Sequence, residues 1–523
     1  MKRKLLATIL TMTMALSAAG CGSATSESSS GDAVQDTGSD VESSSDQSEG
    51  TESTADDTQV ETDTEIWECV VPWPSIGDSP TGLQDVENAV NAISEAEIGV
   101  HVTLNPIYCF DLNKQQTLAI SSGDKLDLCL IMLETNASYV NNGSIIPLND
   151  LYEQYGSEIA ASLGVAVNAG TVGDTLYSIP TGNVYGMGQG FLIRSDLLEK
   201  YGYDSTNHDV TVEEMEEILA AIKVGEGDTF YPIAGLPTFE LFEAYDELGA
   251  SLSSGGIFVD GDTSTVVDVY ESDEFAEYAN TMYRWAQAGY ISPDASSTDG
   301  GTDLVKSGQY GGQGSSTQPG QNVWAANNSG YDMTSLTVVA PYSKTTSLSN
   351  ISFGITSNCD NPEKAMQLIN LMYSNNSIGT LLSSGIEGVD YVVTDSDDEG
   401  HMIVTYPDGL DSSTIPYYNM FGVWPNSKAQ LEPLTIDYFQ EIADYNADMK
   451  YSAAFGYTFD SSAYATQIAA IDSVWSQYQD TIEGGKADPS EILPQFIQAL
   501  KDAGIDEVIA ANQEQYDSWL VSK

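Results

Sequence analysis

The chain has 523 residues, 41% of them hydrophobic, and a formal net charge of −61, since 78 acidic residues stand against 17 basic ones. This length exceeds what one hydrophobic core normally serves and predicts two lobes or more. A surface this negative repels nucleic acid and anionic lipid headgroups, which excludes polyanions as partners. With so many carboxylates, no single Asp/Glu pair is evidence for catalysis.

The N-terminal 65 residues predict a secretion signal followed by an unfolded tether. Three basic residues precede an uncharged apolar run at 5–19, which is shorter than the roughly 20 residues of a membrane span. Residues 22–65 contain no Lys or Arg and are rich in Ser, Thr, Asp and Glu, a composition that predicts disorder. The small residues before Cys21 resemble a bacterial lipobox, in which Cys21 carries a diacylglycerol anchor. The alternative is plain secretion after cleavage near Ala19.

Strand and helix patterns alternate after the tether. The alternation comprises strands at 66–71, 100–104 and 126–132 and helices at 83–96 and 111–120. This order predicts a parallel sheet with helices on its faces, in which ligands gather at the carboxyl ends of the strands. Those ends are the turns at 72–74 and 134–136.

The segment 175–223 carries local signals for two strands and two helices. Strands are predicted at 176–180 and 191–193, and the glycines between them permit a sharp change of chain direction. The helix signals are a cap at Ser195, a C-terminal Gly202, and a capping box formed by Thr211 and Glu214.

In this order, the segment resembles the passage into the second lobe of bacterial extracellular solute-binding proteins of ABC importers. In that family, a similar run carries the chain across the cleft between the lobes. The resemblance is to the maltose- and oligosaccharide-binding type.

Further elements follow along the chain. They are a strand at 230–234, a helix at 272–288 with an aromatic stripe predicted to be core, strands at 336–339 and 351–355, a helix capped by Asn361 with Pro362 at its first position, and a hairpin of 391–393 with 402–404. The acidic turn 395–400 has part of the spacing of a calcium loop. Its twelfth position is Tyr406 instead of Glu, so a hairpin tip is predicted rather than a metal site.

The last 50 residues supply a second resemblance. Asp488 with Pro489 predicts a helix start, Glu491 a capping box, and Gly504 a helix end. The segment 474–520 resembles the closing helices of oligosaccharide-transport lipoproteins of Gram-positive gut bacteria.

The resemblance implies an α/β, two-lobed fold of the periplasmic-binding-protein (Venus flytrap) type with an interlobe cleft. The implied organisation is a signal peptide at 1–20, a lipid-anchored acidic tether at 21–65, lobe one at 66–181 plus 341–385, and lobe two at 182–340 plus 386–523. The chain would be monomeric and lipid-anchored on the extracellular face of the cell membrane, delivering its ligand to the transmembrane subunits of an ABC permease.

The sequence carries no motif for catalysis, a metal site or a cofactor. Its three histidines have no partner nearby in sequence, and it lacks His-x-x-x-His, paired Cys-x-x-Cys and Gly-x-Ser-x-Gly. Catalytic residues, metal ligands and cofactors are therefore not expected. Cys69 and Cys129 lie within apolar strands and are predicted to be buried thiols, while disulfides involving Cys109 or Cys359 stay open.

The ligand is predicted to be an oligosaccharide, bound by aromatic rings and by side chains that bridge hydroxyl pairs. An acidic pocket without arginine suits a neutral, hydroxyl-rich ligand better than an anion. The resemblance and the predicted turns give these candidate contacts: Trp73, Glu134, Asn136, Tyr185, Phe239, Trp324 and Trp424. The alternatives are a peptide or other small polar solute on the same fold, a surface glycoside hydrolase, and an adhesive or sensory lipoprotein.

Overall fold

The computed structural model describes residues 66–132, 136–235, 242–249, 251–293, 295, 301–419 and 426–523, which belong to one unit of the chain. The predicted signal peptide, Cys21 and tether lie outside the described residues. Within the described ranges, no helix has the length and apolar character needed to cross a membrane.

The chain begins with alternating strands and helices. The first elements are β1 (Trp67–Ser75), α1 (Leu83–Ile98), β2 (Val100–Tyr108), α2 (Leu112–Ser122), β3 (Leu128–Met132), α3 (Asn136–Asn141), α4 (Asn149–Tyr155), α5 (Ser157–Leu163), β4 (Thr171–Val172), β5 (Thr175–Leu176) and β6 (Ser178–Pro180).

The middle of the chain forms a second group of elements. They are β7 (Met187–Arg194), α6 (Ser195–Tyr201), β8 (His208–Asp209), α7 (Val212–Glu226), β9 (Tyr245–Glu247), β10 (Gly256–Phe258), α8 (Asp273–Gln287), α9 (Gly301–Lys306), β11 (Gly312–Thr317), α10 (Gln321–Ser329) and β12 (Met333–Ser343).

The remaining elements end in three long helices. They are α11 (Thr345–Ser349), β13 (Ile351–Ile355), α12 (Pro362–Ser374), α13 (Asn376–Ser384), β14 (Val392–Ser396), β15 (Met402–Thr405), β16 (Ala429–Leu431), α14 (Tyr438–Ala447), β17 (Lys450–Tyr451), α15 (Ala465–Glu483), α16 (Pro489–Ala503) and α17 (Ile505–Ser522).

The first three strands are only partly arranged as predicted. β1 and β2 are parallel, but β3 pairs in antiparallel register with β13, which in turn pairs with β6. Asp127 joins β1 to the start of β3: its backbone N–H donates to the Val70 carbonyl at 3.0 Å, and its carboxylate accepts the Val70 N–H at 2.8 Å. A side chain therefore replaces part of the ladder between these strands.

A second sheet is built around β7 and β12. β7 lies between β11 and β12 and is antiparallel to both, while β17 and β8 add to β12 in parallel. Glycines at 188 and 190 let neighbouring strands approach, since a Cβ at Gly190 would lie 2.0 Å from the Leu336 carbonyl oxygen. The glycine run thus belongs to the sheet as well as to the chain crossing.

Two separate hydrophobic cores correspond to the two lobes of the α/β fold. The first core includes Val71, Val90, Val102, Leu130, Met366 and Leu382, and the second core includes Phe191, Ile218, Met282, Trp285, Ile471 and Phe496. The predicted lobe boundaries themselves stay a prediction. Tyr417, which they assign to lobe two, packs in the first core.

Several local predictions are confirmed, and others are wrong. Thr211 and Glu214 form a capping box, the aromatic stripe of α8 is buried, and β14 pairs with β15 as a hairpin. The strand predicted at 230–234 is wrong. Only Tyr231 and Ile233 form β-bridges there, each to a different segment, so no continuous ladder is built.

Two predicted caps fail for physical reasons. Ser195 does not cap α6, whose N-cap is Arg194, because the Ser195 hydroxyl lies 2.8 Å from the Thr334 hydroxyl on β12. In α16, Asp488 caps by accepting the Ser490 N–H at 2.9 Å, but Glu491 does not complete a box.

The capping box of α7 gives a direct stability test. Thr211→Ala removes the acceptor of the Glu214 N–H, which is 3.1 Å away, and is expected to lower the free energy of unfolding by about 1 kcal/mol. Val224→Ala is the matched control, because Val224 lies near the other end of α7 and is 85% exposed. Urea titrations of both variants should separate them, and equal midpoints would contradict the capping role.

Candidate functional site

Two exposed aromatic rings stand at the carboxyl end of β2. Tyr108 is 43% exposed and Phe110 57% exposed, and their ring centroids lie 5.3 Å apart with the planes tilted by 58°. Tyr108 is in register with Ser75, the last residue of the parallel strand β1, so both strands end at this edge. Open sheets collect ligands at such an edge. The sequence-based candidates omitted this pair, because the predicted strand ended at residue 104 and did not reach Tyr108.

Trp73 lies inside β1, so its predicted position in a turn is wrong. Pro72 and Pro74 are two positions apart, and their missing N–H groups fall on the same side of the strand, which leaves the pairing on the other side intact. The strand therefore continues to Ser75. The Trp73 side chain is 2% exposed and its Nε1 donates to the Tyr417 hydroxyl at 3.1 Å.

Tyr417 fixes the segment that follows α13 to the first core. Its hydroxyl donates to the Leu382 carbonyl at 2.7 Å, and burial holds its pKa well above the usual range. Its backbone N–H donates to the buried Asp390 carboxylate at 2.8 Å, and that carboxylate also accepts the Ile386 N–H at 2.8 Å. Burial raises the pKa of Asp390. We refer to residues 386–419 and 426–431, the described part of this segment, as the insert.

Asn136 begins α3 and is 1% exposed. Its amide donates to the Ala169 carbonyl at 3.3 Å, and its carbonyl oxygen accepts the Ser178 hydroxyl at 3.0 Å. In this conformation, Asn136 cross-links chain segments in lobe one rather than presenting its amide to solvent.

Tyr185 lies where the chain passes between the cores, as predicted from the glycine run. Its hydroxyl donates to the Ser162 carbonyl at 3.0 Å, and burial raises its pKa to about 12. Its backbone N–H donates to the Asn446 side chain at 3.0 Å, and Asn446 donates in return to the Asn183 carbonyl at 2.7 Å. This exchange ties the crossing segment to α14.

Trp324 is half-buried on α10. Asn327 follows it by three residues, so the two side chains lie on neighbouring positions of one helix face. Glu134, Phe239 and Trp424 lie outside the described residues.

Two open cavities flank the segment that follows the insert. Cavity A has a volume of about 670 Å³ and is lined by Asn327, Thr394, Asp395, Ile403, Thr405 and Glu432 to Thr435. Cavity B has a volume of about 630 Å³ and is lined by Pro319, Ala340, Pro341, Glu441, Asp444, Tyr445, Asp448 and Lys450. Both fall in the size range of small-molecule sites.

The carboxylates around these cavities have little cationic compensation. Lys450, which lines cavity B, is paired with Asp260. Tyr445 lines the same cavity, and its hydroxyl accepts the Gly188 N–H at 3.3 Å, while burial raises its pKa to about 12. Among the described lining residues, cavity B therefore combines one aromatic ring with carboxylate acceptors, whereas cavity A offers hydroxyl, amide and carboxylate groups without an aromatic ring.

Among the described residues, no group of three or more His, Cys, Asp or Glu side chains is placed to hold a metal ion. Cys69 and Cys129 are fully buried, as predicted, and both are free thiols, as are Cys109 and Cys359. Burial raises the pKa of Cys129 to about 12, which disfavours the reactive thiolate.

Comparison with known proteins gives long matches. A family described as "Bacterial extracellular solute-binding protein" matches residues 80–377, and a "Domain of unknown function (DUF3502)" matches residues 453–521. A Streptococcus pneumoniae protein named "Carbohydrate ABC transporter substrate-binding protein" is 25% identical over 469 residues, which cover 87% of this chain and 91% of that protein.

Solved structures share the fold. The N-glycan transport solute binding protein from Streptococcus pneumoniae superposes with a TM-score of 0.74 at 24% identity, covering 86% of this chain and 99% of that one. Its complex with Man5GlcNAc gives a TM-score of 0.62 at 24% identity, and the match covers 87% of this chain and 99% of that one. An extracellular solute-binding protein from Bifidobacterium longum subsp. infantis gives a TM-score of 0.58 at 17% identity, and the match covers 88% of this chain and 99% of that one. With its two α/β lobes and a family match across more than half its length, the chain belongs to the bacterial extracellular solute-binding proteins.

Proposed function

We propose that this protein is the lipid-anchored substrate-binding component of an ABC transporter and captures a neutral oligosaccharide in its interlobe cleft. The observation that carries the carbohydrate assignment is the exposed pair Tyr108 and Phe110 at the carboxyl end of β2. Sugar rings present flat C–H patches that pack on aromatic faces, and their edges carry hydroxyl groups that carboxylates and amides bind.

The charge distribution favours an uncharged sugar. Cavity A has Asp395 and Glu432 in its lining, and cavity B has Glu441, Asp444 and Asp448. An anionic sugar brought among these carboxylates would meet like charge, whereas hydroxyl groups would donate hydrogen bonds to them. The names of the similar carbohydrate- and N-glycan-transport proteins support the same ligand class.

Ligand capture requires the two lobes to close on the sugar. Closure is favoured when the ligand makes more contacts in the closed form than in the open form, because only this difference shifts the equilibrium. The crossing at Tyr185 would act as part of the hinge, since it connects the two cores and contacts α14. The permease subunits would then recognise the closed form, and the bound sugar would be released chemically unchanged.

The residues predicted from the sequence to contact the ligand stay proposals, and we propose different roles for them. Trp73 and Asn136 are buried and would support the binding edge from beneath, whereas Trp324 on α10 would approach the ligand from lobe two. The proposed roles of Glu134, Phe239 and Trp424 as contacts are unchanged.

The aromatic pair provides the main test. Tyr108→Ala and Phe110→Ala should each weaken binding of a neutral glycan by about 1–3 kcal/mol, by analogy with base–aromatic stacking, with little change in melting temperature. Leu118→Ala is the matched control, because Leu118 is 60% exposed on α2 of the same lobe. A thermal-shift panel selects the glycan, since saturation at 100 times Kd stabilises by roughly 2.7 kcal/mol. Unchanged calorimetric affinity in both aromatic variants would overturn the site.

Trp73 offers a second test, in which stability and affinity are read separately. Trp73→Ala should lower the free energy of unfolding by about 3–5 kcal/mol because it empties a fully buried position. Trp73→Phe keeps most of the volume and loses the hydrogen bond to Tyr417, so a smaller loss is expected. Calorimetry on Trp73→Phe with the selected glycan then measures how much affinity depends on the support that Trp73 gives to the binding edge. A melting temperature unchanged by Trp73→Ala would contradict its place in the core.

The anchor proposal is tested by cell fractionation. Cys21→Ser removes the thiol that would carry diacylglycerol, so the protein should move from the membrane fraction into the medium. The matched control is Ser23→Ala, two residues further along the chain and outside the proposed modification. Membrane retention of the Cys21→Ser protein would refute lipid anchoring at this residue.

A further inference from the structure

We propose that cavity A is a saccharide subsite separate from the aromatic pair, which takes the more distant units of a long neutral glycan. This inference rests on the proposed function, and it specifies which part of the ligand binds where. Its polar lining comes from Asn327 of α10, Thr394 and Asp395 of β14, Thr405 of β15, and Glu432 with Thr435 after β16.

The two walls of cavity A are mounted on different cores. The hairpin wall belongs to the insert, which is fixed to α13 of the first core by the Ser383–Ser427 hydroxyl contact at 2.7 Å and by the Lys428 N–H, which donates to Thr380 at 3.2 Å. The opposite wall is α10, whose Ala325 packs in a separate small cluster with Leu192 of β7, the strand whose Phe191 and Ile193 lie in the second core. A movement of one lobe relative to the other would therefore change the width of cavity A.

The insert also adjoins the carboxyl edge of β1. The Gly82 N–H donates to the Pro416 carbonyl at 2.8 Å, and a Cβ at Gly82 would lie only 2.9 Å from the Pro416 Cβ. Tyr417, which follows Pro416, accepts a hydrogen bond from Trp73 of β1. The insert thus connects the edge that carries the aromatic pair with the wall of cavity A.

The hairpin wall has a local irregularity where it lines the cavity. The register between β14 and β15 shifts between Val393 and Asp395, which places an unpaired residue at Thr394. Such bulges re-aim side chains and are frequent next to binding sites. Asp395 is exposed, and its Oδ1 accepts only the neighbouring Ser396 N–H at 2.9 Å among the described contacts.

The hairpin is held rigid beyond the cavity. His401 lies with Nδ1 2.7 Å from the Asp397 carboxylate and Nε2 2.9 Å from the Lys428 amine. Its ring stacks on Phe439 of α14, with centroids 4.2 Å apart and planes 16° from parallel. The acidic turn 395–400 is thus anchored by a histidine and a lysine, which gives the predicted hairpin tip a structural role.

The chemistry of the lining identifies the ligand class. An amide, several hydroxyls and two carboxylates suit a sugar unit, whose hydroxyls both donate and accept hydrogen bonds. Only two of the lining side chains are carboxylates, and among the described residues no group of three or more His, Cys, Asp or Glu side chains is placed to hold a metal ion. An uncharged saccharide unit is therefore the class we assign to cavity A.

The test compares glycans of increasing length. Asn327→Ala and Asp395→Asn should each weaken binding of the longest glycan roughly 5- to 10-fold, the usual effect of one hydrogen bond. The shortest glycan that binds should keep its affinity, because it is held at the aromatic pair. Matched controls are Asn328→Ala and Asp398→Asn, exposed neighbours on α10 and on the hairpin that do not line cavity A.

Each outcome decides between specific alternatives. A loss that grows with glycan length supports the subsite, while equal affinities of variants and wild type for every length overturn it and leave the proposed function standing. Equal loss at all lengths would place cavity A in the main site and also overturn a separate subsite. A melting shift with calcium chloride alone that disappears in Asp395→Asn would replace the subsite by a metal site. If no glycan binds the wild-type protein, the proposed function fails and the subsite with it.

Discussion

The buried contact between Trp73 and Tyr417 joins residues 344 positions apart and attaches the insert to the first core. Tyr417 brings the insert onto the first core, and Asp390 holds the insert by accepting two backbone N–H groups. Breaking these hydrogen bonds would leave buried polar atoms unpaired, which costs free energy, so the bonds stabilise this attachment. After β16, Leu434 packs against Gly320 at the start of α10.

Signals that act within a few residues predicted local structure well. The capping box of Thr211 and Glu214, and the left-handed Gly202 with φ +83°, depend only on neighbouring backbone groups. The two-lobed fold came from resemblance in such local order, and the family match confirms it. The position of Trp73 could not be predicted in this way, because its burial depends on Tyr417, which approaches from a distant part of the sequence.

The candidate site also combines features that local sequence signals predict with features that depend on distant parts of the chain. Turn positions were favoured as contacts because they are usually exposed, yet Asn136 is used by Ala169 and Ser178 inside lobe one. Conversely, the exposure of Phe110 is a property of the folded edge, since the sequence alone does not show which ring of an aromatic run faces solvent. Asn327 carries no sequence signal, because its significance comes from a hairpin that lies opposite α10 in space.

Hydrogen bonds also join residues of the predicted lobe one to residues of the predicted lobe two. Asn141 donates to Asp460 at 2.8 Å, Thr171 to the Gly456 carbonyl at 2.8 Å, and Ser522 to Asp174 at 3.1 Å. Each such hydrogen bond contributes about 0.5–1.5 kcal/mol net, and the more exposed ones contribute less. Together they would favour one relative position of the lobes without locking it, because a ligand with a few kcal/mol of differential affinity would outweigh them. Cavity A, as the proposed subsite with walls on both lobes, would supply such a difference, since its contacts would be complete only at one lobe separation.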